Sequence, residues 1–252
     1  MSGPTLIDRP AAGPGPRPGE VILQLDHVSK TYASGVLEVH ALQDVSLRVA
    51  RGEYVSIVGP SGSGKSTLMN IIGCLDVATA GAYLLGGTDV EQMNETQLAE
   101  VRNRQIGFVF QQFNLLPSLT ALRNVELPLC YAGVRKDVRR QRARDALGRV
   151  GLADRVDHRP NELSGGQQQR VAVARALVGD PTLILADEPT GNLDSHSTAD
   201  VLALLDELHA SGRTIVLITH EPDVAHRAQR TIHVRDGRIF GDLEPAPGPV
   251  DG

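Results

Sequence analysis

The chain has 252 residues, of which 41% are hydrophobic, and its formal net charge is −5. This length suits one α/β domain with a small subdomain, and the acidic balance argues against nucleic acid as a partner. Cys74 and Cys130, the two cysteines, have the spacing of neither a zinc site nor a disulfide framework, which fits a reducing compartment. The sequence shows no signal peptide and no apolar run of about 18 residues that could span a bilayer.

The N-terminal part of the chain predicts a disordered leader followed by β-structure. Residues 1–19 contain nine Gly or Pro residues and few apolar ones. Short β-rich runs separated by turn signals then occupy residues 21–28, 36–42, 45–49 and 81–90. Together they indicate an antiparallel β-subdomain at the start of a domain that spans residues 20–241.

Four further apolar runs are typical of strands in a parallel sheet that is buried on both faces. They lie at residues 54–58, 106–110, 183–186 and 215–219, and each ends in polar or glycine-rich residues. Ligands of open α/β sheets bind at the carboxyl ends of the strands, so we expect one shared site at that edge. The fold class predicted is therefore α/β with a mostly parallel core sheet.

The second half of the chain adds a helical piece and a hairpin. Residues 137–150 are Arg-rich and helical in pattern, which indicates a small helical subdomain over about residues 112–163. Residues 231–240 predict a hairpin around Asp236-Gly237, and residues 242–252 predict a loose tail.

The first apolar run leads into a phosphate-binding pattern, G-x-x-x-x-G-K-[ST]. Its residues are Gly59, Pro60, Ser61, Gly62, Ser63, Gly64, Lys65, Ser66 and Thr67. Glycines let successive N–H groups face an anion, and a helix that begins near Lys65 points its positive end at it. Lys65 would contact the β- and γ-phosphates of ATP, and the Ser66 hydroxyl would bind Mg²⁺. The alternative is a glycine turn before an ordinary helix.

Polar residues at the ends of the other runs complete a candidate catalytic site. Asp187 would hold Mg²⁺ directly or through water, and Glu188 would act as the base for an attacking water. His220 is a candidate for a γ-phosphate contact. Gln111 could touch both Mg²⁺ and the water, although Gln112 beside it offers the same amide. For the carboxylates, the alternative is a solvated acidic strand end.

A second candidate anion site lies about a hundred residues after the first. Ser164 is a good N-cap for a helix that runs through Leu177, and Gly165, Gly166 and Gln167 follow it. This chain already has one phosphate loop. The second anion site therefore suggests a surface for a nucleotide that another subunit holds. The alternative is a capped helix with a glycine-rich lead-in.

With these motifs in this order, the chain resembles the ABC ATPase family of P-loop NTPases over nearly all of residues 21–240. The resemblance implies that two ATPase protomers sandwich two ATP molecules head-to-tail, with Ser164 and Gly166 on the partner's ATP. Asp194, in Asn192-Leu193-Asp194, would couple the two sites. Tyr32 matches the aromatic residue that stacks on adenine in this family. The alternative, equally open for a lone Tyr, is that it is a packed strand residue.

Finer matches are similar to the macrolide-export and lipoprotein-release group (MacB/LolD type). They include the segments 71–76, 107–116, 124–129 and 163–170. This resemblance implies a separate membrane permease with an extracytoplasmic domain and a position on the cytoplasmic face of the inner membrane. A homodimer is the simpler expectation and a heterodimer stays open, as do export, lipoprotein release and mechanical signalling.

Apolar side chains at Phe113, Leu115 and Leu116 suggest where the permease docks, since we expect this region to be a loop. The alternative is that they fill the core of the helical subdomain. Two other function classes also stay open. A DNA-acting ATPase is disfavoured by the short 111–163 gap and the lack of a CxxC pair, and a ribosome-acting one by the single ATPase unit in the sequence. A regulatory ATP-binding protein is disfavoured by the intact catalytic positions.

Overall fold

The computed structural model describes residues 19–34 and 37–243. The predicted leader and tail lie outside these ranges, except for Gly19, Asp242 and Leu243. The strands described are β1 Val21–Ser34, β2 Leu37–Ala50, β3 Tyr54–Val58, β4 Ala80–Leu85, β5 Thr88–Asp89, β6 Ile106–Phe110, β7 Leu183–Asp187, β8 Thr214–Ile218, β9 Arg230–Arg235 and β10 Arg238–Leu243. The α-helices are α1 Lys65–Ile72, α2 Glu95–Gln105, α3 Ala121–Tyr131, α4 Lys136–Arg149, α5 Gly165–Leu177, α6 Ser195–Ala210 and α7 Pro222–Ala225.

The predicted antiparallel sheet is present, with the strand order β2-β1-β4-β5. The runs predicted separately at residues 36–42 and 45–49 are one bent strand, β2. Asp44 adopts a left-handed φ of 56°, and the pairing with β1 shifts between Val28↔Val45 and Lys30↔Leu42. This is a β-bulge, in which one extra residue bends the strand without ending it.

The core sheet is mostly parallel, as predicted, with the order β10-β9-β3-β8-β7-β6. Successive residues of β7 alternate between the two faces: Leu183 and Leu185 join one apolar cluster, Ile184 and Ala186 the other. Both faces are therefore buried. The hairpin predicted around Asp236 is confirmed, and its first strand, β9, also pairs in parallel with β3.

The helices divide between the two faces of this sheet. Buried residues of α1 and α2 belong to the cluster shared with the antiparallel sheet, and those of α3, α4 and α5 belong to the opposite cluster. The region predicted as a helical subdomain contains α3, α4 and a short 3-10 helix, Pro160–Glu162. In the described ranges, no helix has both the length and the apolar content needed to cross a bilayer.

The loop between β6 and α3 is organised by one buried amide, Asn124. Its Oδ1 accepts from the Leu116 amide at 2.7 Å, and its Nδ2 donates to the carbonyls of Leu116, Leu119 and Thr120 at 3.1–3.2 Å. The side chain is fully buried, so these backbone groups depend on it for their hydrogen bonds.

We expect Asn124→Ala to lower the free energy of unfolding by about 2–4 kcal/mol, because it leaves several buried polar groups unsatisfied. Denaturant unfolding followed by circular dichroism measures the change. Gln141→Ala is the matched control, because this amide of α4 is exposed and its one side-chain hydrogen bond among the described residues is to Asp145. The loss should therefore stay within about 0.5 kcal/mol. Equal stabilities of the two variants would contradict the assignment.

Candidate functional site

The carboxyl ends of β3, β6, β7 and β8 meet at one edge of the parallel sheet, where a cavity of ≈ 780 Å³ opens. Every residue of the phosphate-binding pattern except Ser63 lines this cavity. Gln111, Asp187, Glu188 and His220 line it as well, whereas Gln112 does not. The structure therefore brings together the residues that the sequence placed at four separate strand ends.

The phosphate loop has no room for side chains at two of its glycines. A Cβ at Gly59 would lie 2.1 Å from the Val234 carbonyl oxygen, and one at Gly64 would lie 2.6 Å from that of Ala41. Gly64 also has a φ of 106°, in the left-handed region that favours glycine. It caps α1 without any side-chain hydrogen bond, so the first amides of the helix stay available to an anion.

One cation in the loop fits a phosphate ligand. The Lys65 ammonium donates to the carbonyls of Gly59 and Pro60 at 2.8 and 2.9 Å, which folds the cation back over the loop. The Ser63 hydroxyl is buried and has no hydrogen-bond partner among the described residues, but it does not line the cavity. Lys65 is therefore the charged side chain of the loop that is placed to meet an anion.

The two carboxylates differ in surroundings. Asp187 ends β7, and burial raises its pKa, helped by the negative charge of Glu188 and opposed by Lys65. Glu188 lies beyond the strand with a left-handed φ of 45°. The direction of its side chain is therefore set by this turn and not by the alternation of a strand. Its amide donates to the Ile218 carbonyl at 2.8 Å, which ties the turn to β8.

Glu188 and His220 form a pair. The Nδ1 of His220 and the Oε1 of Glu188 are 2.8 Å apart, and the other carboxylate oxygen, Oε2, is buried with no partner in the described part of the chain. The hydrogen bond and the charge of Glu188 raise the pKa of His220. The pair thus leaves one carboxylate oxygen unused, as a base would require.

Gln111 contacts the segment that follows the carboxylates. Its backbone carbonyl accepts from Asn192 Nδ2 at 3.0 Å, and a Cβ at Gly191 would lie 2.6 Å from its side-chain Nε2. Sequence reasoning gave Asn192 no separate role. Its position two residues before Asp194 was the only signal in the sequence.

Ser164, Gly165, Gly166 and Gln167 do not line this cavity, and neither does Asp194. Ser164 caps α5 through a capping box with Gln167, as predicted. A Cβ at Gly166 would lie 2.6 Å from Ser197 Oγ, so the start of α5 packs on the first turn of α6.

Asp194 caps α6 and belongs to the same surface. It accepts hydrogen bonds from the Ser197 amide and hydroxyl at 2.8 and 3.0 Å, and these bonds lower its pKa. Ser197 was missed by sequence reasoning, because only packing brings it to Gly166. The two segments form one continuous surface, separate from the cavity of the same chain.

Tyr32 does not line the cavity either, but Val39, its partner across β1 and β2, does. The Tyr32 side chain is not packed into the core, since the residue is 41% exposed. Its hydroxyl donates to Asp76 Oδ2 at 2.8 Å. Burial and Asp76 raise the pKa of Tyr32, and the hydroxyl of Thr67, a phosphate-loop residue, opposes the shift.

Comparisons with known proteins identify relatives over most of the chain. The family described as "ABC transporter" matches residues 42–191. The chain is 58% identical over 221 residues to the ABC transporter ATP-binding protein YvrO of Bacillus subtilis, covering 88% of this chain and 96% of that one. It is 56% identical over 221 residues to the macrolide export ATP-binding/permease protein MacB of Hyphomonas neptunium, covering 88% of this chain but only 34% of MacB.

Solved structures share the fold. The dimeric structure of a post-hydrolysis state of the ATP-binding cassette MJ0796 bound to ADP and Pi is 45% identical, with a TM-score of 0.82 and coverage of 89% of this chain and 99% of that one. The phosphate loop, the carboxylate pair and the capped glycine-rich helix thus stand on a cassette fold shared with close relatives, and the chain belongs to the ABC transporter ATP-binding family.

Proposed function

We propose that this chain binds MgATP, hydrolyses it between two copies of itself, and so drives a separate membrane permease. The observation that carries the proposal is the cavity in which Lys65, Asp187 and Glu188 lie together. The surface formed by Ser164 and Gly166 lies outside that cavity, as a site for a second chain's nucleotide must.

The residues around the cavity suit a magnesium nucleotide. Ser66, Gln111 and Asp187 all line it and offer oxygen atoms, which Mg²⁺ prefers alongside phosphates. The ion would neutralise charge on the transferring phosphoryl group. The backbone amides at the start of α1, which Gly64 caps, and the Lys65 ammonium would hold the triphosphate, since both are hydrogen-bond donors in the same loop.

Hydrolysis would rely on the Glu188–His220 pair. His220 engages one oxygen of the carboxylate, so the other can accept a proton from an attacking water. The left-handed turn at Glu188 fixes the carboxylate beyond β7, beside Asp187. His220 has a raised pKa, and its protonated form would place positive charge near a γ-phosphate.

A second copy of the chain would complete each site. The α5 N-terminus would present the backbone amides of its first turn to the nucleotide of the second copy. The dimeric structures of MJ0796, one of them bound to ADP and Pi, are consistent with this arrangement. Asp194, packed beside this surface, would couple the two nucleotide sites.

The permease would be a separate protein. This chain covers 34% of MacB, whose name joins an ATP-binding and a permease part. We infer that the counterpart of the remainder is a permease with an extracytoplasmic domain, and that the chain acts at the cytoplasmic face of the inner membrane.

We expect the permease to dock at a groove of ≈ 380 Å³ on this chain. It lies between β6 and the helices α3 and α5, and its lining includes Phe110, Leu127 and Tyr131. Tyr131 is 78% exposed, an unusual position for a large aromatic side chain. Phe113, Leu115 and Leu116, which suggested docking in the sequence, do not line this groove. Leu115 packs against the core and Leu116 is exposed.

Lys65→Ala should weaken MgATP binding by about 10- to 100-fold, because a hydrogen-bonding cation contributes about 1.5–3 kcal/mol. Isothermal titration calorimetry measures the affinity. Lys136→Ala, at the exposed start of α4, is the control and should bind like the unaltered chain. Near-normal affinity in Lys65→Ala would refute the phosphate-loop assignment.

Glu188→Gln keeps the size of the side chain but removes the base, so hydrolysis should fall by about 10²–10⁴. Binding should persist, and the variant should accumulate as an ATP-bound dimer that ADP does not support. Size-exclusion chromatography with each nucleotide reads the outcome. The double variant with Lys65→Ala should stay monomeric in both. A monomeric Glu188→Gln chain in saturating MgATP would argue against the sandwich.

Tyr131→Glu should abolish co-purification with the permease encoded by the neighbouring gene, because a charge would enter the apolar groove. ATP binding by the isolated chain should not change. Val138→Glu is the matched control, since Val138 is also an exposed apolar residue but lies on α4 outside the groove. Permease binding that survives Tyr131→Glu would move the docking site elsewhere.

A further inference from the structure

Three side chains beside the phosphate loop form a cluster: Lys30, Tyr32 and Asp76. Of these, only Tyr32 has been given an expected role, in adenine stacking. The Lys30 ammonium donates to Asp76 Oδ1 at 2.6 Å and to the Val77 carbonyl at 2.7 Å. The Tyr32 hydroxyl donates to the other oxygen of the same carboxylate at 2.8 Å. One carboxylate therefore holds both a cation and a phenol.

The cation also touches the aromatic ring. Lys30 Nζ lies over the Tyr32 ring, 4.9 Å from its centroid, at the distance of a cation–π contact. The Lys30 side chain is only 11% exposed, so its ammonium has little contact with water and depends on these partners. A cation on one face of the ring leaves the opposite face to another planar group.

The carboxylate is itself held firmly. Burial by itself would raise the pKa of Asp76, but hydrogen bonds from Lys30, Tyr32 and the Val77 amide together lower it. The carboxylate is therefore charged at neutral pH, which strengthens both of its side-chain hydrogen bonds.

The segment that carries Asp76 is fastened to the end of α1. The amides of Leu75 and Asp76 both donate to the Asn70 carbonyl, at 2.8 and 3.2 Å. The Arg102 guanidinium donates to the Cys74 carbonyl at 2.6 Å. The N-terminus of the same helix forms the phosphate loop. One rigid element thus joins the phosphate loop to the group that holds the Tyr32 hydroxyl.

Tyr32 needs such an anchor because burial does not fix its ring. An exposed aromatic side chain samples several rotamers, and ordering it upon binding costs affinity. A hydroxyl bonded to a fixed carboxylate, with a cation on one ring face, removes this cost beforehand.

We propose that Asp76, together with Lys30, is a positioning residue that presents the free face of the Tyr32 ring to the adenine base, at a fixed place relative to the phosphate loop. The inference rests on the proposed function as an ATPase and on the expectation from the family resemblance that Tyr32 stacks on adenine, and it adds how the ring is held. The role concerns the adenine base alone, so the affinity for the triphosphate part should not depend on it.

The first test separates the base from the phosphates. We expect Asp76→Ala to weaken MgATP binding about 2- to 12-fold, the range expected for one side chain that must be ordered on binding. Inorganic triphosphate with Mg²⁺, which has no base, should bind as it does to the unaltered chain. Calorimetric titration of both ligands measures this. Asp26→Ala, on the same strand as Tyr32, is the matched control and should change neither affinity.

A companion variant guards against a folding defect, because Asp76→Ala leaves the Lys30 charge without its carboxylate. Lys30→Met combined with Asp76→Leu replaces the ion pair by apolar side chains, a change that is often neutral for stability. It should show the same selective loss for ATP. Equal losses for ATP and triphosphate in both variants would mean that Asp76 supports the phosphate loop in general, and would overturn the proposal.

The second test is a double-mutant cycle. Tyr32→Phe keeps the ring and removes only the hydroxyl, so it should match Asp76→Ala, and the double variant should bind ATP no more weakly than either one. Additive losses would overturn the tether. Tyr32→Ala shows which idea fails: if it leaves ATP affinity unchanged, base stacking is wrong, whereas a loss in Tyr32→Ala without one in Asp76→Ala refutes the positioning role only.

Discussion

Two distant parts of the chain, β2 and the hairpin of β9 and β10, close on the phosphate loop and leave no space for a side chain at Gly59 or Gly64. The Val234 carbonyl of β9 approaches Gly59, and the Ala41 carbonyl of β2 approaches Gly64. The Gly237 amide, in the turn between β9 and β10, donates to the Ser63 carbonyl at 2.9 Å. The loop is thus clamped by the antiparallel sheet and by the C-terminal hairpin. Because the loop starts α1, this clamp fixes the helix, the cation Lys65 and the segment that leads to Asp76.

The carboxylate proposed as the catalytic base depends on a second constraint, the left-handed turn at Glu188. Such a conformation costs a residue with a Cβ about 1–3 kcal/mol, and the surrounding structure must supply that energy. Here the Glu188 amide bonds to β8 and its carboxylate to His220, which follows β8. Two neighbouring parallel strands therefore hold the acid in a position that strand geometry alone would not give.

The two surfaces proposed to meet nucleotides are linked through the protein interior. Gln169, a fully buried residue of α5, donates to the Pro189 carbonyl at 2.6 Å. Pro189 follows Glu188, and α5 begins at the Ser164 cap. The helix α5 is proposed to meet the partner's nucleotide. Its Gln169 side chain thus contacts the turn that carries Glu188, the proposed catalytic base of the same chain. Gly166 packs on Ser197 of α6 at the same surface. The helices α5 and α6 and the turn at Glu188 therefore have little freedom to move independently of one another.

The sequence by itself determined the local features of this protein. The apolar runs ending at Val58 and Phe110, the phosphate loop and the Ser164 cap all depend on residues near one another in the chain, where spacing and hydrogen-bonding chemistry decide the outcome. Only the tertiary structure decided that Gln111 and not Gln112 lines the cavity, and that β9 joins the parallel sheet. It also brought Tyr32 to Asp76, 44 positions apart. These results depend on how distant segments pack, and no local pattern in a single sequence encodes such contacts.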